Sequence, residues 1–432
     1  MQIIAGGVPL GEDFYKGRIQ SVEELRRKIV KNDVLLIGPR RTGKTSVIKE
    51  FLRQEKENNN DFYCIFIDLE KAQNLYEFYF LILKAVYQTC RKWKLLLNDG
   101  KDFLKSISNL GAEIFEGKID PSAILGMPEG ASVSVRFPKF NKSDQDKLKI
   151  LSTKLHDELR NINEEITIVL DEFPELIWKF GQTEREELQL ESRKIQTQFL
   201  LEGLRSIRQE DETRSKRVIL AGSVNLPNTL KHLGLEHTIN DIDRLDIPYL
   251  TPDQSFELMS QLIDGNELKI KDMGFFKNTI LNQVGICSPY YIQIFAESLI
   301  QLTIDRGGVL NFSNDDIKLC YKNALIGQKG PTYLLERIKR YYLKNADKVE
   351  HVLEIIAQEQ FHNKKYLLEK KVNTSLQGLG MNRRQISSLM AKMKSDDLIQ
   401  FLEDGNFIGF RSQILCNFWN YTYIDTEYWY DA

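Results

Sequence analysis

Five cysteines in 432 residues, none of them in a C-x-x-C pair, are too few and too scattered for a disulfide frame or a thiolate zinc site. Cys64, Cys90, Cys287, Cys320 and Cys416 fit a reducing cytosol instead. Histidine is as scarce. His156, His232, His237, His351 and His362 show no metal-ligand spacing, and His232 and His237 read as surface residues. No apolar run approaches the ~18 residues needed to span a bilayer. The longest candidate, Tyr79 to Tyr87, is broken by Lys84. The first residues carry no basic stretch leading into an apolar one, so no secretory leader is expected. The location expected is cytoplasmic, with no membrane partner. Neither sign of charge dominates: 59 Lys and Arg face 61 Asp and Glu, a formal net charge of −2. That removes any global pull toward nucleic acid while leaving room for a local basic face. Internal repeats and low-complexity tracts are missing. So are nuclease, protease and nucleosidase signatures. With 42% hydrophobic and 28% charged residues, the chain is ordinary globular protein, long enough for two or three domains.

Against this plain background one string stands out. Gly38-Pro39-Arg40-Arg41-Thr42-Gly43-Lys44-Thr45 fits G-x-x-x-x-G-K-[ST]. It follows Val34-Leu35-Leu36-Ile37, which reads as a buried strand. It runs through Ser46 into a helix with Val47, Ile48, Phe51 and Leu52 on one face. Glycines let backbone N–H groups curl around a polyphosphate, and the helix N-terminus adds its dipole. Lys44 can reach the β- and γ-phosphates, and the Thr45 hydroxyl can ligate Mg²⁺.

A second string supports the first. Glu165 to Glu172 is a β-rich apolar run ending in two acids, Asp171 and Glu172. Asp171 is placed to hold Mg²⁺ through its water shell. Glu172, one residue on, should point to the other face of the pleat and polarise the attacking water. Pro174 starts a new element, so both acids belong at the carboxyl end of a strand, where open α/β sheets bind ligands.

The remaining pattern alternates strand and helix up to about residue 250. Strands are expected at 61–68 and 216–223, and an edge-like strand at Ser132–Phe137 inside an irregular stretch, 98–142. Helices are expected at 75–97, 143–161 and 183–207, which implies a parallel sheet with right-handed crossovers. Ser21-Val-Glu-Glu24 reads as a capping box before the first strand. From Thr251-Pro252-Asp253-Gln254 the texture turns helical. The last hundred residues suggest three helices, at 349–357, 364–371 and 382–394, then a hairpin turning at Asp404-Gly405. That order suggests a winged helix. Ile386, Leu389, Met390 and Met393 should face inward, and Arg383, Arg384, Lys392 and Lys394 outward. A DNA-reading helix carries phosphate contacts there. The other reading of that face is the solvated side of a protein-docking winged helix.

These motifs resemble the archaeal-type P-loop ATPases of the STAND and AAA+ group, with archaeal replication-initiator ATPases as more distant relatives. The likeness covers residues 14 to 300 well and the tail more loosely. It implies an α/β fold with a P-loop nucleotide-binding domain (1–250), a helical lid (251–331) and a C-terminal winged-helix domain (332–432). Phe14 to Arg18 resembles the group's entry motif, which puts Arg18 near the adenine. Gly38 to Thr45 matches Walker A, and Asp171-Glu172 looks like Walker B. Leu220-Ala-Gly-Ser223 resembles the strand that ends in sensor 1, with Ser223 or Asn225 as the polar residue near the γ-phosphate. Arg244 resembles an arginine that acts on a neighbouring subunit's nucleotide; its other reading is a surface arginine paired with Asp241, Asp243 or Asp246. Gly285 to Phe295 is similar to the lid motif in which Pro289 flanks the base, although one glycine of the usual pair is missing. The resemblance implies ATP and ADP as ligands, Mg²⁺ as cofactor, and a signalling or antiviral-defence switch acting as a homo-oligomer or with a separate effector protein. The alternative is an initiator- or loader-like ATPase that grips DNA through its winged helix. ATP rather than GTP follows from the resemblance.

Overall fold

The computed structural model describes residues 11, 14–59, 62–92 and 145–423, the last span less 163, 183–185, 210–214, 224–225, 266–272, 307–312, 328–330, 332, 363–365 and 403–404. The expected edge strand at Ser132–Phe137 and residue Asn225 lie outside the described residues. Two compact units divide the chain: residues 22–37 with 51–246, and residues 1–21 with 38–50 and 247–432.

The first unit holds a five-stranded sheet. Its strands are β1 (Val34–Gly38), β2 (Tyr63–Asp68), β3 (Ile166–Asp171), β4 (Lys216–Ser223) and β5 (Asp243–Asp246). They lie in the order β2-β3-β4-β1-β5, and the pairs β2–β3, β3–β4 and β1–β5 run parallel. Every residue of β1 and of β3 is buried. A parallel sheet covered on both faces demands such unbroken apolar runs, which is why both strands read so plainly in the sequence. Helix α1 (Ile19–Ile29) precedes β1, and α2 (Lys44–Asn58) follows it. Then come α3 (Leu75–Lys92), α4 (Gln145–Arg160), α5 (Phe173–Lys179), α6 (Glu186–Gln209) and α7 (Leu226–Leu233). The aromatic stripe of α3, with Tyr76, Phe78 and Tyr79, is core.

The amino end of β1 is pinned by charge. Buried Arg208 forms ion pairs with Asp33 at 3.0 Å and Asp241 at 3.1 Å. Asp33 Oδ1 also accepts the Val218 N–H of β4 at 2.6 Å. At the other end of the sheet, Gly222 of β4 lies against the start of α5. A Cβ there would stand 2.3 Å from Pro174 Cδ.

The second unit is helical and ends in a winged helix. Helix α8 (Pro252–Asp264) opens on the expected signal: Thr251 is the N-cap, Pro252 is at N1, and Gln254 closes a capping box. Helices α9 (Met273–Val284), α10 (Pro289–Asp305), α11 (Asn314–Ile326) and α12 (Tyr333–Tyr342) follow. The tail comprises α13 (Ala346–His362), β6 (Leu367–Leu368), α14 (Glu369–Gly378) and α15 (Arg383–Ser395). It closes with β7 (Ile399–Leu402), β8 (Phe407–Phe410) and α16 (Gln413–Tyr423). The three strands form an antiparallel sheet in the order β6-β8-β7. The fold is thus α/β with a helical lid and a C-terminal winged helix. Among the described residues no helix is long and apolar enough to cross a membrane.

Four local expectations need correction. The segment 364–371 is not one helix: among its described residues Leu367 and Leu368 pair with Ile408 and Phe407 of β8, and α14 begins only at Glu369. Strand pairing overrides local helix propensity there. Ser21 lies inside α1, because the short 3₁₀ turn Lys16–Arg18 runs directly into that helix. Glu172 is not in a pleat but in the left-handed region, φ 53 and ψ 37, as the N-cap of α5. Lys392 is not on the outer side of α15: its ammonium donates to the Tyr341 carbonyl and sits 4.3 Å over the Tyr342 ring. Ile386, Leu389, Met390 and Met393 do face inward.

Candidate functional site

The loop that leaves β1 is shaped by close approach and by unusual backbone. A Cβ on Gly38 would stand 2.3 Å from the Ile247 carbonyl oxygen, so only glycine fits. Gly43 has φ +90, and a Cβ there would meet nothing within 4 Å. That open space is where a phosphate group can approach the backbone. Arg41 also takes a left-handed conformation, φ 65. The Thr42 hydroxyl donates to the Pro39 carbonyl at 2.9 Å and tightens the turn. Lys44, at the first position of α2, is 6% exposed. Its ammonium donates to the Gly38 and Pro39 carbonyls at 3.1 and 2.9 Å. Thr45 and Ser46 follow in the first turn of α2, where the positive end of the helix dipole favours an anion.

Residues distant in sequence fasten this loop. The Arg41 guanidinium lies 3.6 Å over the Tyr290 ring, close enough for a cation–π contact. The Ser288 hydroxyl donates to the Arg41 carbonyl at 3.3 Å. Pro289, at N1 of α10, stands between these two contacts. Arg40 donates to the Tyr341 hydroxyl at 3.4 Å. Arg18 is buried, and its guanidinium donates to the Thr42 carbonyl at 3.1 Å and the Pro248 carbonyl at 2.6 Å. Burial pulls its pKa down to about 10, so it stays charged at neutral pH. The sequence announced neither the Arg18 bonds nor the Tyr290 stack. Only the pairing of an aromatic with Pro289 hinted at the second.

On the sheet, Asp171 ends β3 and is buried. One of its carboxylate oxygens accepts the Glu172 N–H at 3.0 Å. Ser223 ends β4. Arg244 stands on the edge strand β5 with its side chain about half exposed. It grips Asp246 with two nitrogens, at 2.7 Å and 2.9 Å.

No protein-family model and no curated protein matches the sequence. Solved structures do match. A Walker-type ATPase of Pyrococcus abyssi aligns over 97% of this chain and 100% of its own, with a TM-score of 0.60 and 15% identity. The ORC2 protein of Aeropyrum pernix, in its ADPNP and ADP complexes, aligns over 95% and 97%, with a TM-score of 0.57 and 13% identity. The chain has the fold of archaeal P-loop ATPases. Gly38 ends β1 and opens the loop that runs to Thr45, and Asp171 ends β3 with Glu172 next.

Proposed function

We propose that the chain is a magnesium-dependent ATPase working as a molecular switch, with ATP held on the Gly38–Thr45 loop. The observation that carries this reading is Lys44. It is a buried ammonium beside the open backbone of Gly43, in a loop that feeds a 15-residue helix. Backbone donors, helix dipole and cation together suit a polyphosphate. Thr45 and Asp171 offer the hard oxygen donors that Mg²⁺ takes, and Asp171 is held by the Glu172 N–H. Magnesium, when bound, would neutralise charge on the phosphate oxygens. Among the described residues no group of three or more His, Cys, Asp or Glu forms a separate metal cage.

Glu172 would orient the attacking water for in-line hydrolysis, while Lys44 and the loop amides stabilise the transferring phosphoryl group. Its left-handed backbone supports a functional role. A non-glycine residue there costs about 1–2 kcal/mol, and such strain persists where a side chain must be aimed. Arg41, Tyr290 and Ser288 would make α10 sensitive to the state of the loop, which is the basis of a switch. A signalling or defence role, a separate effector, and a homo-oligomer in which Arg244 meets a neighbour's ATP extend the same reading. In the test, Lys44→Ala should abolish nucleotide binding, whereas Glu172→Gln should bind ATP and retain it. Hydrolysis by Glu172→Gln at the unsubstituted rate would remove Glu172 from the mechanism.

The initiator-like reading is favoured by one observation: Arg383 and Arg384 are exposed on α15. Duplex binding through them should weaken in the double alanine variant, and the salt slope should fall by about one unit for each phosphate these arginines neutralise. Unchanged duplex binding would remove this surface from consideration.

A further inference from the structure

The winged-helix region contains a cavity that the ATPase reading does not use. It is about 640 Å³ in volume, within the ~300–1,000 Å³ range of small-molecule sites. The end of α12 and the start of α13 form one wall; the turn at residues 379–381 and residues 384–392 of α15 form the other. Its charge is one-sided. Lys344, Lys348, Arg384 and Lys392 line it, and among the described residues no carboxylate does. Lys344, Lys348 and Arg384 make no ion pair or side-chain hydrogen bond among the described residues. Cations gathered without counter-charge repel one another, and an anion between them relieves that repulsion.

The cavity also has an apolar base. Met381 and Leu389 are buried. The Tyr342 ring is fixed, because its hydroxyl donates to Asp396 at 2.7 Å and Lys392 covers its face. A duplex would need an open convex surface. Here the cations converge on a hollow, two of them come from outside α15, and Arg383, exposed on the same helix, does not line it. Arginine matches phosphate with two parallel bonds, and lysines add point charges. We propose that this cavity binds a small organic diphosphate or triphosphate. Its phosphates would lie among Lys344, Lys348 and Arg384, and its organic part against Met381, Leu389 and Tyr342.

The test uses inorganic pyrophosphate as the probe and the full-length Lys44→Ala chain, whose phosphate loop is disabled. Calorimetry at low salt should find one pyrophosphate per chain. Lys348→Ala and Arg384→Ala should each weaken it by about tenfold or more, as expected for one charge-assisted hydrogen bond. Arg383→Ala should leave it unchanged. Absence of binding, or binding indifferent to Lys348 and Arg384, would overturn the proposal. So would displacement of pyrophosphate by a short DNA duplex together with weakening by Arg383→Ala, which would assign the cations to a nucleic-acid surface. Should either alanine variant unfold, amide exchange on the chain with native Lys348 and Arg384 decides. Pyrophosphate should protect the amides of residues 379–385, and equal exchange with and without it would refute the site.

Discussion

Replacing Arg18 by alanine separates two roles that one arginine can have near a nucleotide. The structure makes Arg18 an internal brace, with charged donors on the Thr42 and Pro248 carbonyls and 5% of its surface exposed. Two such hydrogen bonds gain roughly 3–6 kcal/mol together. Burying the guanidinium opposes that gain. A pKa drawn down to about 10 corresponds to roughly 3 kcal/mol of lost solvation at ~1.4 kcal/mol per tenfold. The brace in place is therefore worth only a little. Its removal is worse, because it leaves two carbonyls without their donor, at roughly 1–3 kcal/mol each, while recovering the burial cost. With about 4 kcal/mol at the middle of that range and 6 at its top, less the roughly 3 recovered, the expected loss for Arg18→Ala is about 1–3 kcal/mol of unfolding free energy, with ADP affinity falling at least tenfold as Thr42 shifts. Arg18→Lys, with one compact ammonium in place of the fork, should recover only part of both. Urea unfolding of the nucleotide-free chain and titration with a fluorescent ADP measure the two quantities. Stability within 0.5 kcal/mol of the parent, alongside a large loss of affinity, would refute the brace. Arg18 would then be a direct nucleotide contact, as the family resemblance implies.

Two further outcomes follow from contacts in the same region. Gly38→Ala places a methyl group 2.3 Å from the Ile247 carbonyl, so the chain should lose about 2 kcal/mol or more of stability; an unchanged urea midpoint would contradict that close approach. Arg244→Ala breaks an exposed pair with Asp246 and should change stability by less than about 1 kcal/mol. If Arg244 instead serves a neighbouring subunit, the variant will turn over poorly, and mixing it with Lys44→Ala will restore part of the activity. Constant turnover per chain on dilution, with no recovery on mixing, rules the shared site out.

The sequence was most legible where a single constraint dominated. Strand β4 spans the expected residues, 216 to 223, because its buried middle, Val218 to Ala221, has to be apolar. Thr251, Pro252 and Gln254 foretold the start of α8 because capping is a local reaction between neighbours. The tail hairpin likewise followed from Gly405, whose φ of +93 suits few other residues. Legibility failed where distant residues decided. Leu367 and Leu368 become a strand only because β8 supplies partners 40 residues on. Ser21 looked like a cap, but the turn around Arg18 had already started the helix. The loop's outer fastenings, Arg18 on Thr42 and Tyr290 on Arg41, join positions separated by 24 residues in the first case and by most of the chain in the second. No spacing rule reaches that far.

The resting state of Lys44 bears on what the loop can select. Its ammonium already has two partners, the carbonyls of Gly38 and Pro39. A ligand therefore arrives as a competitor, and the number of hydrogen bonds made by the lysine need not rise on binding. What improves is their quality, as a neutral oxygen gives way to an ionised one and a charge–dipole contact becomes a charge–charge one. Binding becomes an exchange whose driving force is the ligand's own charge. A nucleoside has no ionised oxygen to offer in such an exchange, a monophosphate has one charged group, and a chain of phosphates has several. The loop thus discriminates by ionisation before any contact with the base is made, and dissolved salt acts on the one quantity that drives the exchange.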